Sequence, residues 1–284
     1  MTYFWVFIAI IVTIAAFFIK VRRLYVEKRR RRIQSAPFPD AWEKILARNV
    51  SLYRRVPPIL KEGLRNNIKL FLAEKRFEGC GGLAITDEIR LTIAGQACLL
   101  QMNKPFKNFP GLTAILVYPG MYVVSGKTYI GGGAFLEGEE LRAGESWTRG
   151  VVILAWDQVK KESFRSIGSK NVVLHEFAHQ LDQEDGIANG APILSTRFLY
   201  KSWAATFEKE YRKLIKETAL QREYLFNEYG ASNPAEFFAV ATETFYKKPL
   251  EMKAGAPSLY KELKEYYCVD PAVWTEPENG SEQM

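Results

Sequence analysis

The chain holds two histidines in 284 residues, and they stand four positions apart, at His175 and His179. On a helix that spacing puts both imidazoles on one face, a single turn apart. Glu176 lies between them and completes His-Glu-x-x-His, the pattern in which two imidazoles grip one zinc ion and the glutamate serves as a base. The flanks are apolar, as a buried active-site helix requires: Val172, Val173 and Leu174 before, Phe177 and Ala178 within, Leu181 after. No basic residue interrupts the stretch between Lys170 and Arg197. The metal reading therefore leads over two histidines on an ordinary helix.

The net charge of +7 would suggest a nucleic-acid partner if it were spread over a surface. It is not. Residues 20–35 hold eight of the 39 Lys and Arg and one of the 32 Asp and Glu, so the whole excess sits there and the remainder is balanced. No direct nucleic-acid binding is expected. Just before the basic run, Tyr3 to Ile19 are seventeen residues without a charge. At 1.5 Å per residue they reach about 26 Å, near the lower limit for crossing a bilayer core. A cleaved leader would carry a positive start and small residues at its end; Thr2 and Tyr3 begin this one, and Phe17, Phe18 and Ile19 close it. The expectation is an uncleaved transmembrane anchor at 1–19. A basic juxtamembrane linker at 20–37 is expected to face the cytoplasm and anionic headgroups. Cys80, Cys98 and Cys268 are odd in number, widely spaced and free of any C-x-x-C pair, which fits buried thiols in a reducing compartment.

With 48% hydrophobic residues the body can build a sizeable core. Trp42, Ile45, Leu46 and Val50, then Leu60, Leu64, Ile68 and Phe71, repeat at helical spacing around a break at Pro57-Pro58, so 41–79 reads as helices. A further helix is expected from Thr86 to about Met102. Strands are expected at 113–118 and Val151–Trp156, with a hairpin or loop around Gly131-Gly132-Gly133 between them. The histidine helix should run from near Ser169 to Gln183, followed by a long turn and a helix from Phe198 to Tyr224. Another helix starts with Asn233 as cap, Pro234 first and Glu236 third. From Pro271 onward the chain should be loose. The fold class expected is α+β, mostly helical with a small sheet.

Catalytic zinc sites take three protein ligands and keep a position for water. With no histidine left, the third must be an acid or a cysteine. Asp185 sits six residues after His179, but Asp182 replaces the glycine that such a turn needs. Cys80 and Cys268 have no motif around them. Glu236 and Glu243 are better placed, seven residues apart on one face of a helix rich in phenylalanine, where a carboxylate is costly unless paired or bound to metal. Each has another use: Glu236 as half of a capping box with Asn233, Glu243 as partner of a lysine. Asp182, a turn past His179, is a candidate to support a histidine from behind, with an exposed acid at the helix end as the alternative.

His175-Glu-Phe-Ala-His179-Gln-Leu-Asp182 together with Tyr229-Gly-Ala-Ser-Asn-Pro-Ala-Glu236-Phe-Phe-Ala-Val-Ala-Thr-Glu243 closely resembles the Mlc titration factor A family of zinc peptidases, whose catalytic core is similar to that of anthrax lethal factor. Gly144-Glu-Ser-Trp147 and Leu154-Ala-Trp156 extend the resemblance over about residues 38–275. It implies a zincin-like metallopeptidase domain at 38–275 with a flexible tail at 276–284. It implies one Zn2+ per chain on His175, His179 and Glu236, with Glu176 as catalytic base and Tyr229 at the substrate carbonyl. The implied partner is a peptide or protein substrate; aminopeptidase and internal cleavage are both open. The family is also named for sequestering a transcriptional repressor, so a regulatory binding protein with secondary peptidase activity is the alternative. Its better-known members look soluble, and the expected anchor is a departure from them.

Overall fold

Proline and glycine, more than hydrophobicity, set where the first helix ends. Arginine, lysine, leucine and glutamate all favour helix, and no Gly or Pro occurs before Pro37. Helix α1 accordingly runs unbroken over Thr2–Ser35, about 51 Å long. The basic segment expected as a linker is thus the second half of one helix, with an Arg23–Glu27 pair along its side. The computed structural model describes residues 2–104, 106–131, 134–142, 144–147, 150–165, 168 and 170–274. Within α1 the side chains of residues 2, 6 and 8–10 are outside that description. Among the described residues no helix is long and apolar enough to cross a membrane. The chain divides into Met1–Phe38, which holds this helix, and Pro39–Met284, the folded body.

The body begins with helices α2 (Asp40–Asn49), α3 (Ser51–Arg55) and α4 (Pro58–Glu74), the last started by a proline in its first turn. Strand β1 (Arg76–Gly79) follows, where helix was expected. It lies at the sheet edge and buries little, so it shows no apolar alternation to read. Helix α5 (Asp87–Ala97) is capped by the Thr86 hydroxyl and tightens into a 3-10 turn over Cys98–Gln101. Strand β2 (Ala114–Tyr118) leads to a hairpin of β3 (Tyr122–Gly131) and β4 (Ala134–Arg142). The expected hairpin is therefore present; residues 132 and 133 at its tip lie outside the described residues. Strands β5 (Gly144–Trp147) and β6 (Val151–Ala155) complete the main sheet, ordered β1-β2-β6-β5. Its first three strands are parallel and β5 runs antiparallel along the edge.

After β6, Trp156 opens helix α6 (Trp156–Phe164) instead of closing the strand. Helix α7 (Val172–Asp182) carries the histidines and is shorter than expected, because Asn171 caps it and Gln183–Asp185 is a 3-10 turn. Helices α8 (Arg197–Ala219), α9 (Pro234–Lys247), α10 (Pro249–Gly255) and α11 (Pro257–Tyr267) finish the body. Pro271–Val273 forms a further 3-10 turn, and Trp274 is buried against Tyr246, so the chain is packed for several residues past the point where it was expected to loosen. The expected tail, 276–284, lies outside the described residues. Helix α7 packs on α9, β5 and β6. Phe177 holds it to α4 through Phe71 and to Phe109, with ring centroids 5.7 and 4.9 Å away. Phe237 and Phe238 hold α9 to Phe207 of α8 at 5.8 and 6.1 Å. Two helices from distant sequence are thereby fixed side by side in the core.

Candidate metal centre

Asparagine starts both site helices. Asn171 accepts the Leu174 amide at the head of α7, and Asn233 accepts the Glu236 amide at the head of α9. This is only half of the capping box read from the sequence. The Glu236 carboxylate does not return to the Asn233 backbone; it reaches across to α7. Its Oε2 lies 2.9 Å from His175 Nε2 and 3.3 Å from His179 Nε2, and the two nitrogens are 3.2 Å apart. Tetrahedral bonds of about 2.0–2.1 Å would separate donors by about 3.3–3.4 Å. The triangle of two imidazole nitrogens and one carboxylate oxygen therefore fits a metal ion with zinc's bond lengths. Among the described residues this is the one group of histidines, cysteines and acids whose ligand atoms converge this way. Asp185, Cys80 and Cys268 take no part.

Glu243 has a different task from Glu236. Its Oε1 is 2.7 Å from His175 Nδ1, on the far side of the ring from the metal-facing nitrogen, and its Oε2 accepts the Asn171 amide. A carboxylate there fixes the imidazole's tautomer and orientation and strengthens it as a ligand. Neither role weighed from the sequence, third ligand or lysine partner, is the one found. The support continues inward: Asn171 Nδ2 donates to Gln96 Oε1 at 2.6 Å, and Gln96 Nε2 donates to Ser163 Oγ at 2.6 Å, all buried. We expect Glu243→Gln to keep the fold but weaken metal affinity by about 10–100-fold, measured by competition with a chromogenic chelator. Asp182, in contrast, does not back a histidine. Its Oδ2 accepts the Gly190 amide at 3.0 Å, so it holds the turn after α7 in place.

Charge in the site follows from burial. Burial opposes ionisation of Glu236, but hydrogen bonds from both histidines prevail and hold its pKa at about 2. Burial also disfavours the His175 cation, yet Glu236 and Glu243 on either side push its pKa well up. Two carboxylates thus hold a positive charge between them, the role a metal cation takes over. Glu176 makes no such bond: burial, opposed by the two histidines and aided by Glu236 and Glu243, raises its pKa to about 7. Edge strand β5 closes over it. A Cβ on Gly144 would sit 2.6 Å from both Glu176 Oε1 and Val172 Cγ2, so only glycine lets the strand approach this closely. Tyr229, in the 3-10 turn Glu228–Ala231, is half exposed with its ring centroid 5.9 Å from that of His175.

Two histidines from one helix, a glutamate from a second and a buried glutamate between the histidines define a metallohydrolase centre. The chain belongs to the family described as glucose-regulated metallo-peptidase M90, whose profile matches residues 25–268. It is similar to an uncharacterized protein of Synechocystis sp., 39% identical over 250 residues that cover 88% of this chain and 91% of the relative. Mlc titration factor A of Pectobacterium atrosepticum is 30% identical over 204 residues, 71% of this chain and 76% of that one. The same-named protein of Yersinia pestis is 28% identical over 207 residues, 70% and 74%. The resemblance read from the two motifs is borne out.

Proposed function

We propose that this chain is a zinc-dependent peptidase with Glu176 as general base. The observation that carries it is the converging triangle of His175, His179 and Glu236 with Glu176 buried beside it. A zinc ion on those three residues supplies Lewis acidity, polarising a carbonyl and lowering the pKa of water toward about 7. The rest falls to the protein. Glu176, shielded from bulk solvent, accepts the proton of the attacking water and returns it to the leaving amine. Tyr229 donates its hydroxyl to the oxyanion that develops on the carbonyl. β5 has β6 on one side and no strand on the other among the described residues, so an extended substrate can add there by backbone pairing next to Glu176. Glu243, Asn171 and Gln96 hold His175 against rotation throughout.

The test is direct: the purified full chain should carry one zinc per molecule and cleave peptides, and chelation should abolish the cleavage. Aminoacyl anilides and internally quenched peptides distinguish trimming from internal cutting. Tyr229→Phe removes one hydroxyl next to the site; the expected result is a fall in kcat of about tenfold to a thousandfold with zinc content unchanged, and an unaltered rate would take Tyr229 out of the mechanism.

The seventeen uncharged residues and the basic run behind them support a further part of the reading, a single-pass anchor with the body on the cytoplasmic face. Alkaline carbonate extraction of membranes tests it; a chain released into the supernatant is not anchored. A second function is supported by the name of the relatives, Mlc titration factor A. It is sequestration of a cytoplasmic partner such as a transcriptional regulator. Partner capture by the Glu176→Gln protein separates the two: binding that survives loss of catalysis favours it.

A further inference from the structure

Beyond the metal centre, a half-open pocket lies at the C-terminal end of α7, bounded by α8, α11 and the 3-10 turn after α5. Its volume is about 330 Å³, at the small end of the range of about 300–1,000 Å³ typical of small-molecule sites. Leu181, Leu194 and Trp203 give it an apolar wall, and Leu181 follows His179 by two residues, so an occupant touches the helix that bears both histidines.

The charged groups around it are unequal. Glu184 is paired with Lys107 at 2.8 Å and Glu265 with Lys261 at 3.8 Å, whereas among the described residues no lysine or arginine lies within ion-pair distance of Glu262. Two of the three acids are thus already answered. The Lys104 amine is not: it sits 3.3 Å from the centroid of the Tyr266 ring and 5.5 Å from that of Tyr267, and among the described residues no carboxylate lies within ion-pair distance of it. Two ring faces stabilise a cation by a few kcal/mol at most and leave its N–H groups without acceptors. Burial lowers the amine's pKa to about 8, so it is still mostly charged at neutral pH. The cavity therefore presents an apolar body with the Lys104 cation at one point of its wall and the Glu262 carboxylate at another.

We propose that this cavity binds a compact apolar carboxylate, its acid group on Lys104 and its body against Leu181, Leu194 and Trp203. A dinucleotide or a folded peptide is too large to seat within it, and an amine placed at the Lys104 end would meet like charge.

The probe is 3-phenylpropionate, compared with its amide and with 3-phenylpropylamine, titrated calorimetrically into the full chain held in lipid nanodiscs. The acid should bind at least about tenfold more tightly than either analogue, since a hydrogen bond to a charged group is worth about that factor or more. Lys104→Met should erase the preference and Lys104→Arg should keep it. Leu194→Trp, which fills the space, should weaken all three, and zinc content of one per chain shows that each variant is folded. If Leu194→Trp fails to fold, the Lys104 pair carries the test alone. Equal binding of the three probes, a preference that persists in Lys104→Met, or no binding of the acid at millimolar concentration would each overturn the proposal. None of these readouts depends on peptide hydrolysis.

Discussion

Glu176→Gln should retain one zinc per chain and lose peptide hydrolysis by a factor on the order of 10² to 10⁴, the usual contribution of a general base. The substitution is close to isosteric and leaves His175, His179 and Glu236 untouched, so the metal has no reason to leave. What disappears is the carboxylate's capacity to take a proton. Glu176 is 6% exposed, and its burial, opposed by the histidines, lifts its pKa to about 7. A divalent ion on the neighbouring ligands favours the carboxylate form. The acid limb of the wild-type pH profile should then lie below about 7, with activity rising as pH increases through it. Parallel zinc analysis and kcat measurements on the two proteins decide the matter. A Gln variant that still cleaves at wild-type rate would remove Glu176 from the chemistry, and one that lost its zinc would make Glu176 a structural residue.

Much of this centre was legible because its parts are local. A helix with two histidines at i and i+4 and apolar flanks can be read from eleven residues, and so can the start of α9 at Asn233-Pro234. What joins them is not local. Glu236 and Glu243 both face inward on α9, and only the crossing of α9 against α7 decides which meets the metal-facing nitrogen of His175 and which meets the opposite one. The sequence-level resemblance selected Glu236, whereas the residues themselves left the two acids level. Glu243, Asn171 and Gln96 lack a motif because their partners come from three different helices. The missing strand has a similar cause: β1 derives its pairing from β2, 38 residues away in register, and its own residues, Arg76 to Gly79, carry no strand pattern. Asp182 could be read either as a support for a histidine or as an exposed helix-end acid; it is buried and takes the Gly190 amide, a partner that only the turn after α7 brings close. The continuation of α1 through Ser35 was missed for the opposite reason: charge was taken as a boundary where helix propensity alone should have decided.

His179→Ala should cost the protein its zinc. The ion would keep two protein ligands, His175 and Glu236, and each lost ligand removes a bond that water replaces poorly in a site buried to this degree. The expected result is less than one tenth of a zinc per chain after dialysis, with hydrolysis at background. The fold should persist, since alanine favours helix and the packing that fixes α7 runs through Phe177, not through His179. Loss of metal can therefore be separated from unfolding by a second measurement. A site formed only in the folded chain has no counterpart in the unfolded one, so added zinc should raise the wild-type Tm in proportion to the logarithm of its concentration. The same titration should leave the His179→Ala Tm flat. His179→Cys refines the test, since a thiolate is also a zinc ligand and should restore much of the Tm response even if catalysis stays low. A flat response in the wild type, or full zinc content in the alanine variant, would mean that the triangle of donors is not the metal site. A rescued response in the cysteine variant would show that this corner of the triangle contributes a ligand and not merely a buried ring.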